Sequence, residues 1–281
     1  MKLASFLANG RPSYGIITDA GIVDAGAKLT DHPDLSSLLA DPSPLAALAN
    51  APADHALADV ILLPPIPRSG RIICVGLNYK THIAETGHEP PAYPILFPRY
   101  PDSLVGADAP LVRPRVSERF DFEGELAVVI GRPGRHIAAA DALDHVAGYA
   151  CFNDGSIRDF QRHTSQFLPG KNFARSGSFG PWLVTADEVG DVSALRLTTR
   201  LNGEVVQQTG IDDLLFDVPA LIAYVSQIWT VQPGDVIATG TTGGVGAARK
   251  PPLWMKPGDR VEVAIDRLGI LTNTVIEEDQ A

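Results

Sequence analysis

Two Pro-Gly-Asp triplets, at residues 233–235 and 257–259, restrict the fold of this chain more than any other sequence feature. Proline followed by glycine favours a type II turn, because glycine accepts the positive φ that the third position requires. Runs rich in β-branched residues predict strands at 195–201, 231–238, 261–265 and 271–276, and one helix is predicted at 217–228. The sequence therefore predicts a β-dominated α+β fold without the βαβ rhythm of a doubly wound sheet.

A cluster of three prolines indicates a domain boundary. Residues 34–63 are rich in Ala, Leu and Pro and predict one or two short helices, and Pro64, Pro65 and Pro67 then interrupt any regular element. We place the boundary near residue 68. Residues 1–68 would form a small N-terminal accessory domain, and residues 69–281 would form the catalytic domain.

Charge and hydropathy exclude several classes of protein. The 281-residue chain has a net charge of −10, so it lacks the basic surface typical of nucleic-acid binders. No apolar run approaches the ~18 residues of a membrane span, and the N-terminus does not resemble a signal peptide. We therefore expect no nucleic-acid or membrane partner and a cytoplasmic location. Cys74 and Cys151 stand in apolar stretches, which predicts buried thiols.

The motif Asp-Phe-Glu-Gly-Glu, at residues 121–125, opens a predicted strand at 122–130. Side chains alternate along a strand, so Glu123 and Glu125 would share one face, with Cα atoms ~6.7 Å apart. Two adjacent carboxylates repel unless a cation or a proton intervenes. Oxygen ligands favour Mg²⁺, Mn²⁺ or Ca²⁺ over zinc. Without other ligands, an exposed strand with a solvated face would explain the pattern equally well.

A second acidic segment follows a predicted strand at 147–152. Asp154 stands at the end of this strand, before a helix predicted at 156–166. Arg158 and Gln161 lie four and seven residues further on, so one helical face could carry both towards Asp154. Active-site groups often lie at such positions. The alternative is that Asp154 only caps the helix.

Two more segments carry groups suited to catalysis. His82 and Glu85 stand three residues apart, and a carboxylate beside an imidazole suits the activation of water. An ordinary surface pair remains the alternative. Lys171 follows Pro-Gly in an apolar loop and could bind an anionic substrate, or could simply be solvated. A glycine-rich loop at 238–246 matches neither a P-loop nor a dinucleotide fingerprint.

Taken in order, these segments resemble the fumarylacetoacetate hydrolase family over about residues 72–275. The matching segments include 76–79 with His82 and Glu85, 122–126, 148–149 leading to 153–154, Arg158-Asp159 with Gln161, 170–171, 180–182, 202–204, 233–237 and 239–241. Each segment alone is weak, but their joint order and spacing are specific. The resemblance therefore favours the functional interpretation over the alternatives for Glu123, Glu125, Asp154, His82 and Glu85.

The resemblance implies a β-roll catalytic domain, usually a homodimer, that binds Mg²⁺ or Mn²⁺. It implies that Glu123, Glu125 and Asp154 hold the metal, that His82 and Glu85 activate water from a mobile lid, and that Lys171 is catalytic. The implied substrate contacts are Arg158, Gln161, Thr241 and Tyr79. The expected activity is hydrolysis of a C–C bond in a small 2,4-diketo (acylpyruvate-type) acid, through a metal-stabilised enolate.

Departures from the family pattern leave the substrate open. The chain has Thr242, Ala174 and Arg99 where many members have proline, aspartate and lysine. Decarboxylation or isomerisation of a 2-oxo acid remains an alternative activity, as does binding of an oxo acid without turnover. Four arginines are candidates to bind a second carboxylate on the substrate, namely Arg99, Arg113, Arg175 and Arg249.

Overall fold

The fold is dominated by strands. The structure, a computed structural model, describes residues 1–280. Strands β1 to β18 are Lys2–Ala8, Arg11–Thr18, Gly21–Asp24, Val60–Leu62, Ile72–Gly76, Ile95–Arg99, Leu104–Val105, Leu111–Arg113, Phe120–Asp121, Gly124–Ile130, Val146–Asn153, Ser156–Ile157, Gly177–Thr185, Arg196–Leu201, Glu204–Gly210, Val236–Thr241, Arg260–Ile265 and Gly269–Glu277. This confirms the prediction of a β-dominated α+β fold.

The helices are short. Helices α1 to α6 are Ser43–Leu48, Lys80–Thr86, Arg158–Gln161, Leu168–Lys171, Ala186–Val189 and Val218–Ile228. Short 3₁₀ segments occur at Leu35–Leu38, Leu57–Asp59, Pro101–Ser103, Ala139–His145, Val192–Ala194, Ile211–Asp213, Gly246–Ala248 and Glu278–Gln280. Helix α6 confirms the helix predicted at 217–228. Asp217 caps its start by accepting a hydrogen bond from the amide of Ala220.

Two larger sheets organise the molecule. One has eleven strands, with the main order β3-β2-β1-β13-β11-β10-β16-β5-β6, while β4 pairs with β1 and β7 pairs with β13. The other has five strands in the order β15-β14-β17-β18-β8, and β9 and β12 form a small separate pair. Gly234 and Gly258 have φ values of 85° and 90°, so both Pro-Gly-Asp turns have the positive φ that the sequence predicts.

Strand β10 lies in the interior and separates two apolar cores. Leu126, Val128 and Ile130 on one face pack with residues of helix α6 and of the five-stranded sheet. Ala127 and Val129 on the other face pack with side chains from the N-terminal strands and from β5. Glu125 belongs to this second face, so the alternation along the strand directs a carboxylate into protein rather than into solvent.

Residues 1–68 contribute to the main sheet. Lys2 and Leu3 of β1 pair with Val184 and Leu183 of β13, and Leu3 packs in the same apolar core as Ala127. The predicted boundary near residue 68 stays a prediction. The segments on its two sides share one sheet and one core.

Three predicted elements are wrong in their bounds, two because of contacts distant in sequence and one because of a local turn. The strand predicted at 122–130 is interrupted before Gly124, where the amide of Glu123 donates to the side chain of Asn153. The helix predicted at 156–166 starts as strand β12, because residues 156–157 pair with β9, and its helical part is only α3. The strand predicted at 231–238 begins at Val236, after the Pro-Gly-Asp turn.

Helix length bears on the expectation of no membrane partner. Within residues 1–280, none of the helices is both long enough and apolar enough to span a bilayer.

Candidate active site

Three carboxylates converge inside the protein. Glu125 lies in β10, Asp154 directly follows the neighbouring strand β11, and Glu123 directly precedes β10. Each residue offers one oxygen that lies within 4.8 Å of those of the other two, and all three residues are buried. The amide of Asp154 donates to the carbonyl of Glu123 at 2.9 Å, which holds the two chain segments together. The structure thus brings together the three residues predicted as metal ligands.

Three buried cations surround these carboxylates. Lys171 Nζ lies 2.6 Å from Glu123 Oε2 and 2.6 Å from Asp154 Oδ2. Arg158 Nη1 lies 2.6 Å from Glu123 Oε1, and Arg99 Nη1 lies 2.6 Å from Asp154 Oδ1. Within residues 1–280, Glu125 makes no such ion pair, and its Oε2 accepts a hydrogen bond from the amide of Gly240 at 3.0 Å.

This arrangement splits the pKa values of the two glutamates. Burial tends to raise the pKa of Glu123, but the charges of Arg158 and Lys171 outweigh it and lower the pKa to about 2. Burial raises the pKa of Glu125 well above its ordinary value, and the negative charges of Asp154 and Glu123 raise it further. Burial tends to lower the pKa of Lys171, but the same two carboxylates reverse this and raise it. Of the two glutamates, Glu125 is therefore the one whose ionised form has no compensating cation in the described chain.

The donor set fits a hard divalent cation. Three convergent carboxylate oxygens are the ligands that Mg²⁺ and Mn²⁺ prefer, and no thiol or imidazole joins them within residues 1–280. A cation here would also offset the charge of Glu125, which no ion pair offsets. Glu123, Glu125 and Asp154 are therefore the residues that would hold a divalent cation.

A cleft of about 590 Å³ lies against this cluster. Glu123, Glu125, Arg158 and Lys171 reach its wall from the buried side, and His82 reaches it from helix α2. Of the ten predicted site residues, Asp154 and Tyr79 are the two that do not line the cleft. Asp154 is fully buried but belongs to the carboxylate cluster, and Tyr79 is a core residue packed beside Leu126.

The predicted acid–base pair is present on helix α2. His82 Nδ1 lies 3.3 Å from Glu85 Oε2, while Glu85 Oε1 accepts a hydrogen bond from the amide of Gly244 at 2.9 Å. Burial tends to raise the pKa of Glu85, but the hydrogen bonds from His82 and Gly244 outweigh it, so the pKa is lowered. The contact through Nδ1 leaves Nε2 as the nitrogen of His82 for proton transfer.

The predicted substrate contacts differ in how much of their hydrogen-bonding capacity is used. Arg158 Nη1 donates to Gln161 Oε1 at 2.9 Å, while its Nη2 is buried and has no hydrogen-bond partner within residues 1–280. Thr241 Oγ1 donates to the carbonyl of Gly124 and accepts from Gln207. Arg158 Nη2 is therefore a buried donor that no protein acceptor within residues 1–280 satisfies.

Asp121 is a structural partner of the site that the sequence reasoning missed. Its Oδ1 accepts hydrogen bonds from the amides of Phe122 and Gly246, and its Oδ2 accepts from the amide of Ala247 and from Arg158 Nε. One carboxylate thus joins Arg158 to the 246–248 segment, part of which lines the cleft. A signal was present, because Asp121 is the first residue of the acidic motif, but only the fold brings residues 246–247 against it.

The four arginines considered for a second carboxylate are engaged with other parts of the protein. Each donates to a protein acceptor, and none lines the cleft: Arg99 binds Asp154, Arg113 binds Glu277, Arg175 binds the carbonyl of Pro110, and Arg249 binds the carbonyls of Gly244 and Val206. Arg99 is fully buried, and its guanidinium also donates to Ser103, Ser176 and the carbonyl of Gly155. It supports Asp154 and cannot reach a substrate in the cleft.

The fold and the site together define a class of protein: a strand-rich enzyme scaffold with a buried carboxylate cluster at one cleft. Residues 71–276 match the family model described as the fumarylacetoacetate (FAA) hydrolase C-terminal domain. The chain belongs to the fumarylacetoacetate hydrolase family. The members of this family are enzymes.

Three relatives describe the range of the family around this chain. The human protein named oxaloacetate tautomerase FAHD2A, mitochondrial, is 45% identical over 221 residues, which are 78% of this chain and 70% of that protein. A fumarylacetoacetate hydrolase from the psychrophile Exiguobacterium antarcticum superposes with a TM-score of 0.86 at 35% identity, covering 99% of this chain and 100% of that one. A maleylpyruvate hydrolase from Sphingobium sp. SYK-6, solved with manganese(II) and pyruvate, has a TM-score of 0.82 at 30% identity, covering 99% of each chain.

Proposed function

We propose that this enzyme interconverts the keto and enol forms of a small 2-oxo acid of the oxaloacetate type, using a divalent cation held by Glu123, Glu125 and Asp154. The observation that carries the proposal is that His82, oriented by Glu85 at 3.3 Å, lines the same cleft as Glu123 and Glu125. A proton-transfer group beside a carboxylate cluster suits the removal of a proton from the carbon next to a carbonyl. The 45% identity to an oxaloacetate tautomerase supports this reaction.

Each residue of the cleft has a role in this proposal. When bound, Mg²⁺ or Mn²⁺ would act as a Lewis acid on the carboxylate and 2-oxo end of the substrate. His82 Nε2 removes a proton from carbon 3 and then supplies a proton to the 2-oxo oxygen, so that protons balance. Glu85 holds the imidazole by its Nδ1. The Nη2 donor of Arg158 and the ammonium of Lys171 provide positive charge where the enol oxygen develops negative charge.

A second candidate is hydrolysis of a C–C bond in an acylpyruvate-type acid. The His82–Glu85 pair favours it as well, because an oriented imidazole can take a proton from water as readily as from carbon. The structural similarity to a maleylpyruvate hydrolase also supports it. The two reactions share one site and differ in whether a pyruvate unit is released. The homodimer and the cytoplasmic location stay predictions.

The experiment compares the two reactions on one preparation. Protein stripped of metal is supplied with Mg²⁺, Mn²⁺ or chelator, and decay of enol absorbance is followed for freshly dissolved enol-oxaloacetate. Acetylpyruvate and fumarylpyruvate are tested in parallel, with pyruvate assayed as the product. Metal-dependent loss of the oxaloacetate enol, without pyruvate from the diketo acids, supports tautomerisation. Pyruvate release from the diketo acids supports hydrolysis.

The variant His82→Ala separates catalysis from metal binding. Because His82 is not one of the clustered carboxylates, the variant should retain the thermal stabilisation that Mn²⁺ gives and lose turnover. A variant that turns over at the parent rate would overturn the role of His82. Tight binding of oxo acids without turnover by the parent protein would instead favour a binding function.

A further inference from the structure

Arg162 lines the same cleft as Arg158. It directly follows helix α3, four residues after Arg158. Arg158 is buried and Arg162 is exposed. The cleft therefore presents two guanidinium groups, a buried one paired with the carboxylate cluster and one near solvent.

The two guanidinium groups differ in their partners. Arg158 is paired with Asp121 at 2.7 Å and with Glu123 at 2.6 Å, so most of its charge is compensated. Within residues 1–280, the guanidinium of Arg162 makes no ion pair and no hydrogen bond, and its backbone amide donates to the carbonyl of Asp159. The chain has a net charge of −10, so an unpaired arginine that lines a cleft makes that part of the surface locally positive.

Other polar side chains line the same cleft. His88 and Thr164 are among them, and both are exposed. His88 follows Gly87, the residue with a φ of 70° at which helix α2 ends. Glu85 also lines the cleft, and its two oxygens are engaged by His82 and by the amide of Gly244. Glu85 is therefore paired elsewhere and does not neutralise Arg162.

We propose that Arg162 binds the second carboxylate of a dicarboxylic 2-oxo acid and thereby selects dicarboxylates over monocarboxylates. This inference rests on the proposed function, because it assumes that the 2-oxo end of the substrate lies at the carboxylate cluster. A guanidinium matches a carboxylate through two parallel hydrogen bonds, which gives both affinity and orientation.

The test measures selectivity rather than activity alone. For Arg162→Gln we expect the ratio of kcat/KM for fumarylpyruvate or oxaloacetate to that for the matched monocarboxylate, acetylpyruvate or the 4-ethyl ester of oxaloacetate, to fall at least tenfold. For Arg162→Lys this ratio should lie between those of Arg162→Gln and the parent. Lysine keeps the positive charge but cannot donate two parallel hydrogen bonds to one carboxylate. Arg11→Gln, an exposed arginine outside the cleft, is the matched control and should keep the parent ratio.

A binding measurement separates this inference from the proposed reaction. Titration calorimetry with Mn²⁺ present compares 2-oxoglutarate with pyruvate, which share the 2-oxo acid end and differ in the second carboxylate. Weaker binding of 2-oxoglutarate to Arg162→Gln, with the affinity for pyruvate retained, supports the inference even if none of the tested acids turns over. An unchanged selectivity ratio together with unchanged 2-oxoglutarate affinity overturns it, whatever reaction the enzyme catalyses.

Discussion

The ammonium nitrogen of Lys171 lies 2.6 Å from Oε2 of Glu123, in a part of the protein where both side chains are almost completely enclosed. The same nitrogen contacts Asp154 Oδ2, so one lysine compensates two of the three clustered carboxylates. Glu125 has no comparable partner within residues 1–280. Substitutions at these neighbouring positions should therefore change stability in opposite directions.

Lys171→Met should destabilise the metal-free protein by about 3 kcal/mol, because removal of one partner leaves buried charge uncompensated. Denaturant unfolding in chelator measures the loss, and Mn²⁺ should restore part of it if the cation binds beside Glu123 and Asp154. Lys28→Met is the control, because the ion pair of Lys28 with Asp54 is partly exposed and such pairs contribute less than about 1 kcal/mol. Equal losses in the two variants would contradict the importance of burial.

Glu125→Gln should leave the metal-free protein as stable as the parent or more stable. Glutamine keeps an oxygen that can accept from Gly240, while the charge that burial and Asp154 disfavour is removed. The folded-state pKa of Glu125 is raised, so the unfolded protein loses this proton at a lower pH than the folded protein does. The free energy of unfolding of the parent therefore falls as the pH rises above the unfolded pKa of about 4.3. The advantage of the variant should therefore grow from pH 5 to pH 7.

The same variant should lose the response to metal. Thermal unfolding of Glu125→Gln with Mn²⁺ should show a smaller increase in Tm than the parent shows, because one of three ligands has lost its charge. A variant that is clearly less stable in chelator and still responds fully to Mn²⁺ would contradict both the unpaired state of Glu125 and its place in the metal site.

Local patterns predicted much of the fold. The Pro-Gly-Asp turns were predictable because the conformation of Gly234 and Gly258 depends on adjacent residues alone. The start of the strand predicted at 231–238 was wrong because this same turn interrupts it. The helix predicted at 156–166 failed because residues 156–157 pair with Phe120 and Asp121, a contact between segments more than 30 residues apart. Propensity alone does not contain such pairings.

The residues of the site were easier to predict than their partners. Alternation along a strand predicted that Glu123 and Glu125 would lie side by side, and oxygens of both lie within 4.8 Å of each other, although Glu123 stands just outside β10. The partners of Asp154 were not predictable, because Arg99 is 55 residues away and reaches it only through the pairing of β5 with β6 and β16. For the same reason, the sequence offered Arg99 as a candidate for a second substrate carboxylate, whereas the structure pairs it with Asp154.

Asp121→Asn should raise KM for the 2-oxo acid about tenfold or more and change kcat less. The substitution replaces one of the two acceptor oxygens with a donor. It therefore weakens the hydrogen bonds that Asp121 accepts from Arg158 Nε and from the amides of Gly246 and Ala247. Hydrogen bonds to charged groups contribute about 1.5–3 kcal/mol. Steady-state kinetics with each parameter measured separately distinguishes misplacement of Arg158 from general unfolding, which would lower the active fraction and leave KM unchanged.

Asp159→Asn is a control for that experiment. Asp159 lies in helix α3, directly after Arg158. Its side chain accepts a hydrogen bond from Ser117, and it does not line the cleft. It should keep the KM of the parent. A rise in KM equal to that of Asp121→Asn would indicate that any change in helix α3 disturbs the cleft.

Tyr79→Phe tests a predicted substrate contact that the structure places in the core. The hydroxyl of Tyr79 is buried and lacks a hydrogen-bond partner in the described part of the chain, and Tyr79 belongs to an apolar core and does not line the cleft. Burial raises its pKa, so the phenol stays neutral throughout the working range. We expect KM to stay within about twofold of the parent and stability to change by less than about 1 kcal/mol. A large rise in KM would restore Tyr79 as a substrate contact.

The two buried thiols should resist alkylation in the folded protein. Burial raises the pKa of Cys151 to about 12 and raises that of Cys74 as well, where the charges of Asp154 and Glu125 add to the effect. The thiolate is the reactive form, and an unfolded cysteine has a pKa of about 8.5. At pH 8 the native protein should therefore gain no iodoacetamide adducts by mass spectrometry, whereas protein in guanidinium should gain two. Raising the pH from 7 to 9 should accelerate only the unfolded reaction. Rapid labelling of Cys151 in the native protein would mean that strand β11 opens to solvent. This strand contains Cys151 and ends directly before Asp154.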